Sequence, residues 1–195
     1  EIGNKAKEKG IKMIDAPVSG GVMGAEKATL NIMVGGTKEA YDIAFPLLKI
    51  MGKNIFHAGG IGSGNGAKIC NNMILGISMI GVCEAFALAD ELNLDRQKMF
   101  EVVSTASGQC WSLNTYCPAT GVGPNSPSDH GYLPGFASEL MLKDLTLAQS
   151  AASAKEVFTP MGKRATELYS DFIVKDGKGK DFSAILNFIK SKNKT

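Results

Sequence analysis

The residues best suited to chemistry stand in one stretch, residues 60–72, where four alternating glycines give way to a helical pattern. Lys68 and Asn72 have i,i+4 spacing, which places both side chains on one face of a helix. From Met73 to Cys83 there is no charge, and the next charged residue is Glu84. An amine with an amide one turn further on, at the mouth of an apolar helix, indicates a site, although most lysines simply lie on the surface.

A second glycine-rich segment follows a strand-like run. Asp15-Ala-Pro-Val-Ser-Gly-Gly21, followed by Gly24-Ala25, would place bare backbone N–H groups beyond the carboxyl end of a strand. Ser19, Gly20 and Gly21 are therefore candidates for binding a substrate carboxylate, since amides can approach it with no side chain in the way. A plain strand-to-helix turn explains the same residues, so this segment alone leaves both interpretations open.

The segment Gly62-Ser-Gly-Asn-Gly-Ala67 has the spacing of a dinucleotide fingerprint, G-x-G-x-x-A. It lacks the acidic residue that should end a second strand about 20 residues later. We therefore interpret its glycines as letting the start of a helix lie close to a ligand or to another backbone. A nucleotide loop is not predicted here.

The composition is that of an ordinary globular protein, with 195 residues, 44% hydrophobic and 21% charged, and a formal charge of +2. That charge gives no reason to expect nucleic acid or an anionic membrane as a partner. The four cysteines and two histidines show no zinc spacing, so no metal is expected and the thiols should be reduced. Asn71, Asn72 and Glu84 interrupt the apolar run over residues 69–89, so we predict a buried helix of a soluble protein and not a membrane span of about 20 residues.

The order of elements predicts an α/β segment followed by helices. Three strands are expected, over residues 11–18, 30–34 and 54–58. Thr37 is the predicted N-cap of the helix after the second strand, and Pro46 should kink or restart that helix. Three strands are too few for an independent sheet of this kind, so we infer that they complete a sheet whose first half is absent.

The second part of the chain is predicted to be helical. Its central helix is expected over residues 66–92, covered on all sides because it is apolar all round. Asp95 should cap the next helix, and a further helix is predicted over residues 138–154. Thr159 with Pro160 is the predicted N-cap and N1 position of another helix. The long segment over residues 108–135 is expected to be an ordered loop.

Three ordered motifs resemble the β-hydroxyacid dehydrogenase family, whose pattern is D-x-P-x-S-G-G-x-x-G-A, then G-x-G-x-x-x-K-x-x-x-N, then K-D-L. Here they are residues 15–25, residues 62–72 and Lys143-Asp144-Leu145. The resemblance covers essentially the whole chain. It implies the end of a Rossmann-type domain over residues 1–60 and a helical, 6-phosphogluconate-dehydrogenase-like domain with a long central helix over residues 61–195.

One part of the family pattern is not found. The N-terminal Rossmann half, with its pyrophosphate-binding glycine loop, is not present, and Glu1 is not a methionine. We therefore expect the chain to be a piece of a longer protein. The isolated piece should bind NAD weakly or not at all and should be inactive.

By that resemblance, the reaction is reversible hydride transfer from a 3-hydroxy acid to NAD, with 3-hydroxyisobutyrate giving methylmalonate semialdehyde as in valine catabolism. The hydroxyl proton needs a base, and Lys68 can serve if burial and the positive nicotinamide lower its pKa from about 10.4. Asn72 then holds the substrate oxygen or fixes the lysine amine. The family places the lysine of K-D-L near the cofactor, which assigns Lys143 to that role, with Asp144 bracing it. An exposed lysine on an amphipathic helix explains Lys143 as well.

Two other functions stay open. A relative that reduces tartronate semialdehyde would carry the same motifs, and a helical oligomerisation module without the chemistry would keep the fold. Trp111 and Phe136 belong either to the wall of a substrate pocket or to the core. We expect a homodimer or higher homo-oligomer, because Gly76, Ser78 and Gly81 allow another helix to approach closely. The expected location is the mitochondrial matrix if the source is eukaryotic, and otherwise the cytoplasm.

Overall fold

The computed structural model describes residues 2–192. The chain forms two compact units, Glu1–Asn71 and Asn72–Thr195. The first contains a small sheet with helices, and the second consists of helices and turns, which confirms the predicted fold class, an α/β segment followed by an all-α domain. The domain boundary between residues 60 and 61 stays a prediction.

The first unit begins with a short helix and then alternates short strands with helices. Its elements are α1 (Ile2–Glu8), β1 (Ile14–Asp15), β2 (Val18–Ser19), α2 (Gly21–Glu26), β3 (Leu30–Gly36), α3 (Lys38–Met51) and β4 (Gly52–Gly59). The first turns of a long helix, α4 (Ser63–Glu91), complete this unit.

β3 is the centre of the sheet. β1 and β2 pair antiparallel with its two ends, Ser19 standing opposite Asn31, and β4 pairs with it in parallel. The single strand expected over residues 11–18 is therefore wrong, since two separate two-residue strands are formed. Pro17 lies between them and has no N–H to contribute to a ladder, although its carbonyl accepts a hydrogen bond from the Met33 amide at 3.0 Å.

α3 begins at the predicted cap. The amide of Ala40 donates to Oγ1 of Thr37 over 3.2 Å. The helix then runs without interruption through Pro46 to its end, so the predicted restart does not occur. Leu48, beyond the proline, is buried in the core formed with the sheet. Tertiary packing therefore outweighs the local preference of proline to end a helix.

Helices make up the second unit. After α4 come α5 (Arg96–Val103), α6 (Trp111–Asn114), α7 (Ser138–Ala154), α8 (Pro160–Phe172) and α9 (Ile185–Lys192). α7 has the predicted bounds, and Asp95 caps α5 as predicted by accepting from the Lys98 amide at 2.9 Å. Thr159 and Pro160 occupy the N-cap and N1 positions of α8, as predicted. The Thr159 hydroxyl donates to Oε1 of Gln149 over 3.1 Å and does not cap the helix.

α4 runs through the core of the second unit but is not covered all round. Its buried core residues there are Met79, Ile80, Val82, Cys83, Phe86 and Ala89. On another face, Ile74 and Leu88 are 63% and 60% exposed, and Gly81 and Ala85 are exposed between them. The single chain therefore leaves one face of this helix exposed, and the cover predicted for that face stays a prediction. By length and composition alone α4 could cross a membrane, and half of its most apolar window is buried in the protein.

The small residues of α4 differ in whether another helix of this chain packs closely against them. A Cβ on Gly76 would lie 3.0 Å from Leu145 of α7, so this glycine permits a close contact within the chain. The hydroxyl of Ser78 donates back to the Ile74 carbonyl at 2.7 Å. A Cβ on Gly81 would meet no atom within 4 Å, so space for a further helix is left at that position.

A buried carboxylate fixes the long loop of the second unit. Oδ2 of the fully buried Asp181 accepts hydrogen bonds from the Tyr116 hydroxyl at 2.8 Å and from the amides of Gly135 and Phe136 at 3.0 Å. Its Oδ1 accepts from the amide and the hydroxyl of Ser183 at 3.0 and 2.6 Å. Burial, reinforced by the Asp181 charge, raises the pKa of Tyr116, so the phenol stays protonated and donates. These contacts hold the segment predicted to be an ordered loop, which also contains the short helix α6 that the prediction did not include.

Candidate active site

The turn predicted to bind a carboxylate lies between β2 and α2. Gly20 and Gly21 have φ angles of 137° and 62°, which L side chains rarely adopt. A Cβ on Gly20 would also lie 3.2 Å from the Leu30 side chain. In the part of the chain that the structure describes, no side chain caps α2. The segment Ser19–Gly21 therefore offers main-chain groups at a strand end, a geometry that suits a plain turn as well as a binding turn.

Lys68 and Asn72 occupy successive turns of α4. Lys68 is half-buried in the second turn of the helix. Asn72 is 1% exposed, and its Nδ2 donates to Oδ2 of Asp144 on α7 over 2.5 Å. Asp144 is buried too, so this hydrogen bond lies in a protected environment where it is stronger than in water.

Lys143 is the exposed neighbour of that pair. Its Nζ lies 3.1 Å from Oδ1 of Asp144, and its side chain is 59% exposed. The two oxygens of Asp144 thus serve two partners, Asn72 on the buried side and Lys143 on the exposed side. Only the second role is predictable from the sequence, because Asn72 and Asp144 are 72 residues apart and neither motif signals the other.

The side-chain carboxylate of Asp15 lies at the N-terminus of α4. Oδ1 of Asp15 accepts from the Gly62 amide at 2.6 Å, and Oδ2 accepts from the amide and the side chain of Asn65 at 2.7 and 3.1 Å. In a dinucleotide fingerprint, the amides at this place bind the pyrophosphate. Because Asp15 already takes two of them, the segment over residues 62–67 does not fit a pyrophosphate. The geometry agrees with a closely packed helix start.

The two aromatic candidates differ in exposure. Trp111 stacks on Tyr116 with ring centroids 4.9 Å apart and is 50% exposed. Phe136 is half-buried and packs edge-on against Phe182 at 5.6 Å, on the core of the second unit. Trp111 thus keeps surface available to a ligand, whereas Phe136 contributes to core packing.

Two of the four cysteines, Cys83 and Cys117, are buried and are not activated nucleophiles. Burial raises the pKa of Cys83 well above its usual value and raises that of Cys117 to about 11. Both therefore stay protonated near neutral pH. All four cysteines are free thiols, and among residues 2–192 no group of three or more His, Cys, Asp or Glu side chains could hold a metal ion. The candidate chemistry therefore rests on an amine, an amide and main-chain N–H groups.

Each unit carries part of the predicted set of site residues. The first unit contains Ser19, Gly20, Gly21 and Lys68. The second unit contains Asn72 and Lys143, which the structure brings together through Asp144. Asp15 and the buried role of Asp144 are the additions that the structure makes to this set.

Protein families match both parts of the chain. Residues 1–60 match the NAD binding domain of 6-phosphogluconate dehydrogenase, and residues 62–189 match the family described as NAD-binding of NADP-dependent 3-hydroxyisobutyrate dehydrogenase. Fold and matches together place the chain among the nicotinamide-dinucleotide-binding dehydrogenases. Within that class, the chain belongs to the 3-hydroxyisobutyrate dehydrogenase family.

Relatives cover nearly all of the chain. The Drosophila melanogaster protein named 3-hydroxyisobutyrate dehydrogenase, mitochondrial is 45% identical over 186 residues, which are 95% of this chain and 57% of that protein. A Pseudomonas aeruginosa protein named NAD-dependent L-serine dehydrogenase is 46% identical over 180 residues, 92% of this chain and 60% of that one. The structure of Mycobacterium tuberculosis 3-hydroxyisobutyrate dehydrogenase with L-serine matches with a TM-score of 0.93 at 42% identity, covering 97% of this chain and 65% of that one. The chain thus spans less than two thirds of the length of these relatives.

Proposed function

We propose that the complete protein oxidises 3-hydroxyisobutyrate to methylmalonate semialdehyde with NAD, a step of valine catabolism. The observation that carries the proposal is the buried hydrogen bond between Asn72 and Asp144, one helical turn after Lys68. Core packing requires no such polar pair, and burying polar groups costs free energy that the hydrogen bond must offset. Its place beside the lysine of the family motif supports a catalytic use.

Oxidation of the alcohol removes a hydride from carbon and a proton from the hydroxyl oxygen. NAD, when bound, supplies the hydride acceptor. Lys68 takes the hydroxyl proton as general base. Its half-buried position supports this role, since removing water from an amine favours the neutral form that can accept a proton.

Asn72 holds the substrate hydroxyl oxygen. Its Nδ2 donates to Asp144. This hydrogen bond fixes which end of the amide faces the carboxylate, because in the flipped amide two oxygen atoms would face each other. At the other end of the substrate, the main-chain N–H groups of Ser19, Gly20 and Gly21 bind the carboxylate. Their left-handed glycine backbone supports that role, since it keeps side chains away from the anion.

The residues present fit one part of a dinucleotide. Lys143 has an exposed ammonium held beside Asp144, and such a group can donate to an anionic or hydroxyl-rich portion of the cofactor. The start of α4 does not fit the pyrophosphate, since Asp15 takes amides there. We therefore assign Lys143 to cofactor binding. We assign no residue of α4 to the pyrophosphate.

L-Serine is the second candidate substrate. One relative is named NAD-dependent L-serine dehydrogenase, and the Mycobacterium tuberculosis structure is described with L-serine. L-Serine and 3-hydroxyisobutyrate share the carboxylate and the 3-hydroxyl group and differ at carbon 2, which carries an ammonium or a methyl group. The same base and the same carboxylate turn would serve both substrates.

Steady-state kinetics of the complete protein separates the candidates. We expect kcat/KM with NAD to be at least about 10-fold higher for 3-hydroxyisobutyrate than for L-serine, because a pocket fitted to one methyl group discriminates by roughly 10- to 200-fold. Glycerate, and tartronate semialdehyde with NADH, test the remaining substrate hypothesis, and NADP replaces NAD in a parallel series. Preference for L-serine would overturn the substrate assignment, and absence of turnover with every pair would favour the non-catalytic module.

The complete protein is further proposed to be at least a homodimer with α4 in or beside the interface. The support is the exposed apolar stripe formed by Ile74, Gly81, Ala85 and Leu88. Light scattering at micromolar concentration should give at least twice the mass of one subunit, and Leu88→Lys should lower that mass. The matched control is Val174→Lys, at a position 86% exposed outside α4, which should leave the mass unchanged. A monomeric wild-type protein would contradict the proposal.

The names and sources of the relatives indicate two candidate cellular locations. The Drosophila melanogaster relative is named mitochondrial, and relatives also occur in bacteria. We therefore propose the mitochondrial matrix for a eukaryotic source and the cytoplasm for a bacterial one. Cell fractionation of the source organism measures this directly.

A further inference from the structure

Asp15 fits between two glycines at the start of α4. A Cβ on Gly35 would lie 2.3 Å from its Oδ1, and a Cβ on Gly64 would lie 2.9 Å from its Oδ2. A side chain at either position would displace the carboxylate. The Asp15 side chain therefore packs closely between β3 and α4. It takes no direct part in the proposed reaction.

β3 supports both the turn and the helix start. Asp15 stands opposite Gly35 and Ser19 stands opposite Asn31, which separates them by about 13 Å at roughly 3.3 Å per residue. The first turn of α4 touches the same strand, because a Cβ on Gly64 would lie 2.2 Å from the Met33 carbonyl oxygen. One strand therefore sets the distance from the proposed carboxylate turn to the helix start. Asp15 pairs with β3 through its backbone and accepts hydrogen bonds from the start of α4 through its side chain.

Asp15 acts on the helix face that carries the proposed base. It accepts from both the amide and the side chain of Asn65. Asn65 and Lys68 are three residues apart in one helix, so they lie on the same face. Any rotation of the first turns of α4 that follows the loss of Asp15 would move Lys68 as well.

We propose that Asp15 is the positioning residue of this site, which holds the start of α4 so that the Lys68 amine meets the substrate hydroxyl while the turn Ser19–Gly21 holds the carboxylate. This rests on the proposed function, in which Lys68 is the general base. Ser19, the first residue of the turn, pairs with β3 through its own backbone. Loss of Asp15 therefore affects kcat more than the KM for the hydroxy acid.

A double-mutant cycle in the complete protein tests the proposal. Asp15→Ala should lower kcat about 100-fold, the order expected when a catalytic group is misplaced by about 1 Å, and should change the KM for 3-hydroxyisobutyrate little. In a Lys68→Met background the same substitution should have almost no effect on the residual rate, because no base is left to position. Asp15→Asn keeps one acceptor and should recover part of the loss. It also replaces Asp15→Ala in the cycle if that variant does not fold.

Thr37→Ala is the matched control. It removes the N-cap hydrogen bond of α3, a helix of the same unit that carries none of the proposed site residues. It should lower the melting temperature but leave kcat unchanged at a temperature where circular dichroism shows every variant folded. An equal loss from Asp15→Ala in both backgrounds would mean a merely structural role and would overturn the proposal. Normal turnover in Lys68→Met would instead refute the base itself, so the two failures are distinguishable.

Discussion

Replacing Lys68 by methionine in the complete protein should lower kcat at least about 100-fold, the low end of what a general base contributes. Methionine keeps much of the length and the apolar character of the lysine stem but cannot accept a proton. Because Lys68 is half-buried within a continuous helix, this substitution should leave α4 intact. The absorbance of NADH formed from 3-hydroxyisobutyrate measures the loss.

Lys163→Met provides the control for that experiment. Lys163 is exposed on α8, so the same chemical change is made away from the proposed site. Its kcat should equal that of the wild-type protein, and both variants should keep the wild-type circular dichroism spectrum. A Lys68→Met protein with near-normal turnover would show that another group takes the proton.

Gly64→Ala should destabilise the protein by about 2 kcal/mol or more, at or above the middle of the usual range of about 1–3 kcal/mol for overpacking. The added Cβ would lie 2.2 Å from the Met33 carbonyl oxygen and 2.9 Å from the Asp15 carbonyl oxygen. Both are backbone atoms, which cannot rotate away as a side chain can. Equilibrium unfolding in urea measures the change in the free energy of unfolding.

Gly66→Ala is the matched control in the same helix, two residues further on. A Cβ on Gly66 would meet no atom within 4 Å. Since alanine favours a helix over glycine by about 0.5–1 kcal/mol, this substitution should stabilise the protein slightly. Equal effects of the two substitutions would show that α4 can move away from β3 at no cost, which would also weaken the argument for Asp15.

The helices of the second unit are largely predictable because their ends are set by local chemistry. Asp95 caps α5 from three positions away, and α8 begins at Pro160 directly after Thr159. The strands of the first unit depend on their partners instead. β1 and β2 are each two residues long and exist because β3 pairs with them, so no local pattern could separate them.

Candidate site residues can be found in the sequence, but their partners cannot. The Asp15 carboxylate meets amides 47 and 50 residues away, and Asn72 meets Asp144 across 72 residues. The glycines of the motif predict that something approaches closely at residue 64. They do not predict which groups approach, namely the Met33 carbonyl and Asp15. Likewise, the apolar character of α4 predicts that it needs a cover without telling which surface supplies it.

The Asp181 network also has a consequence for synthesis of the chain on the ribosome. Phe136 and Asp181 are 45 residues apart, so at about 5–20 residues per second the loop is translated roughly 2–9 s before the carboxylate that fixes it. During that interval, the Tyr116 hydroxyl and the Phe136 amide lack the carboxylate that accepts from them in the folded chain. The loop therefore reaches its native shape only after the C-terminal segment has been translated, although most of its own residues were made long before.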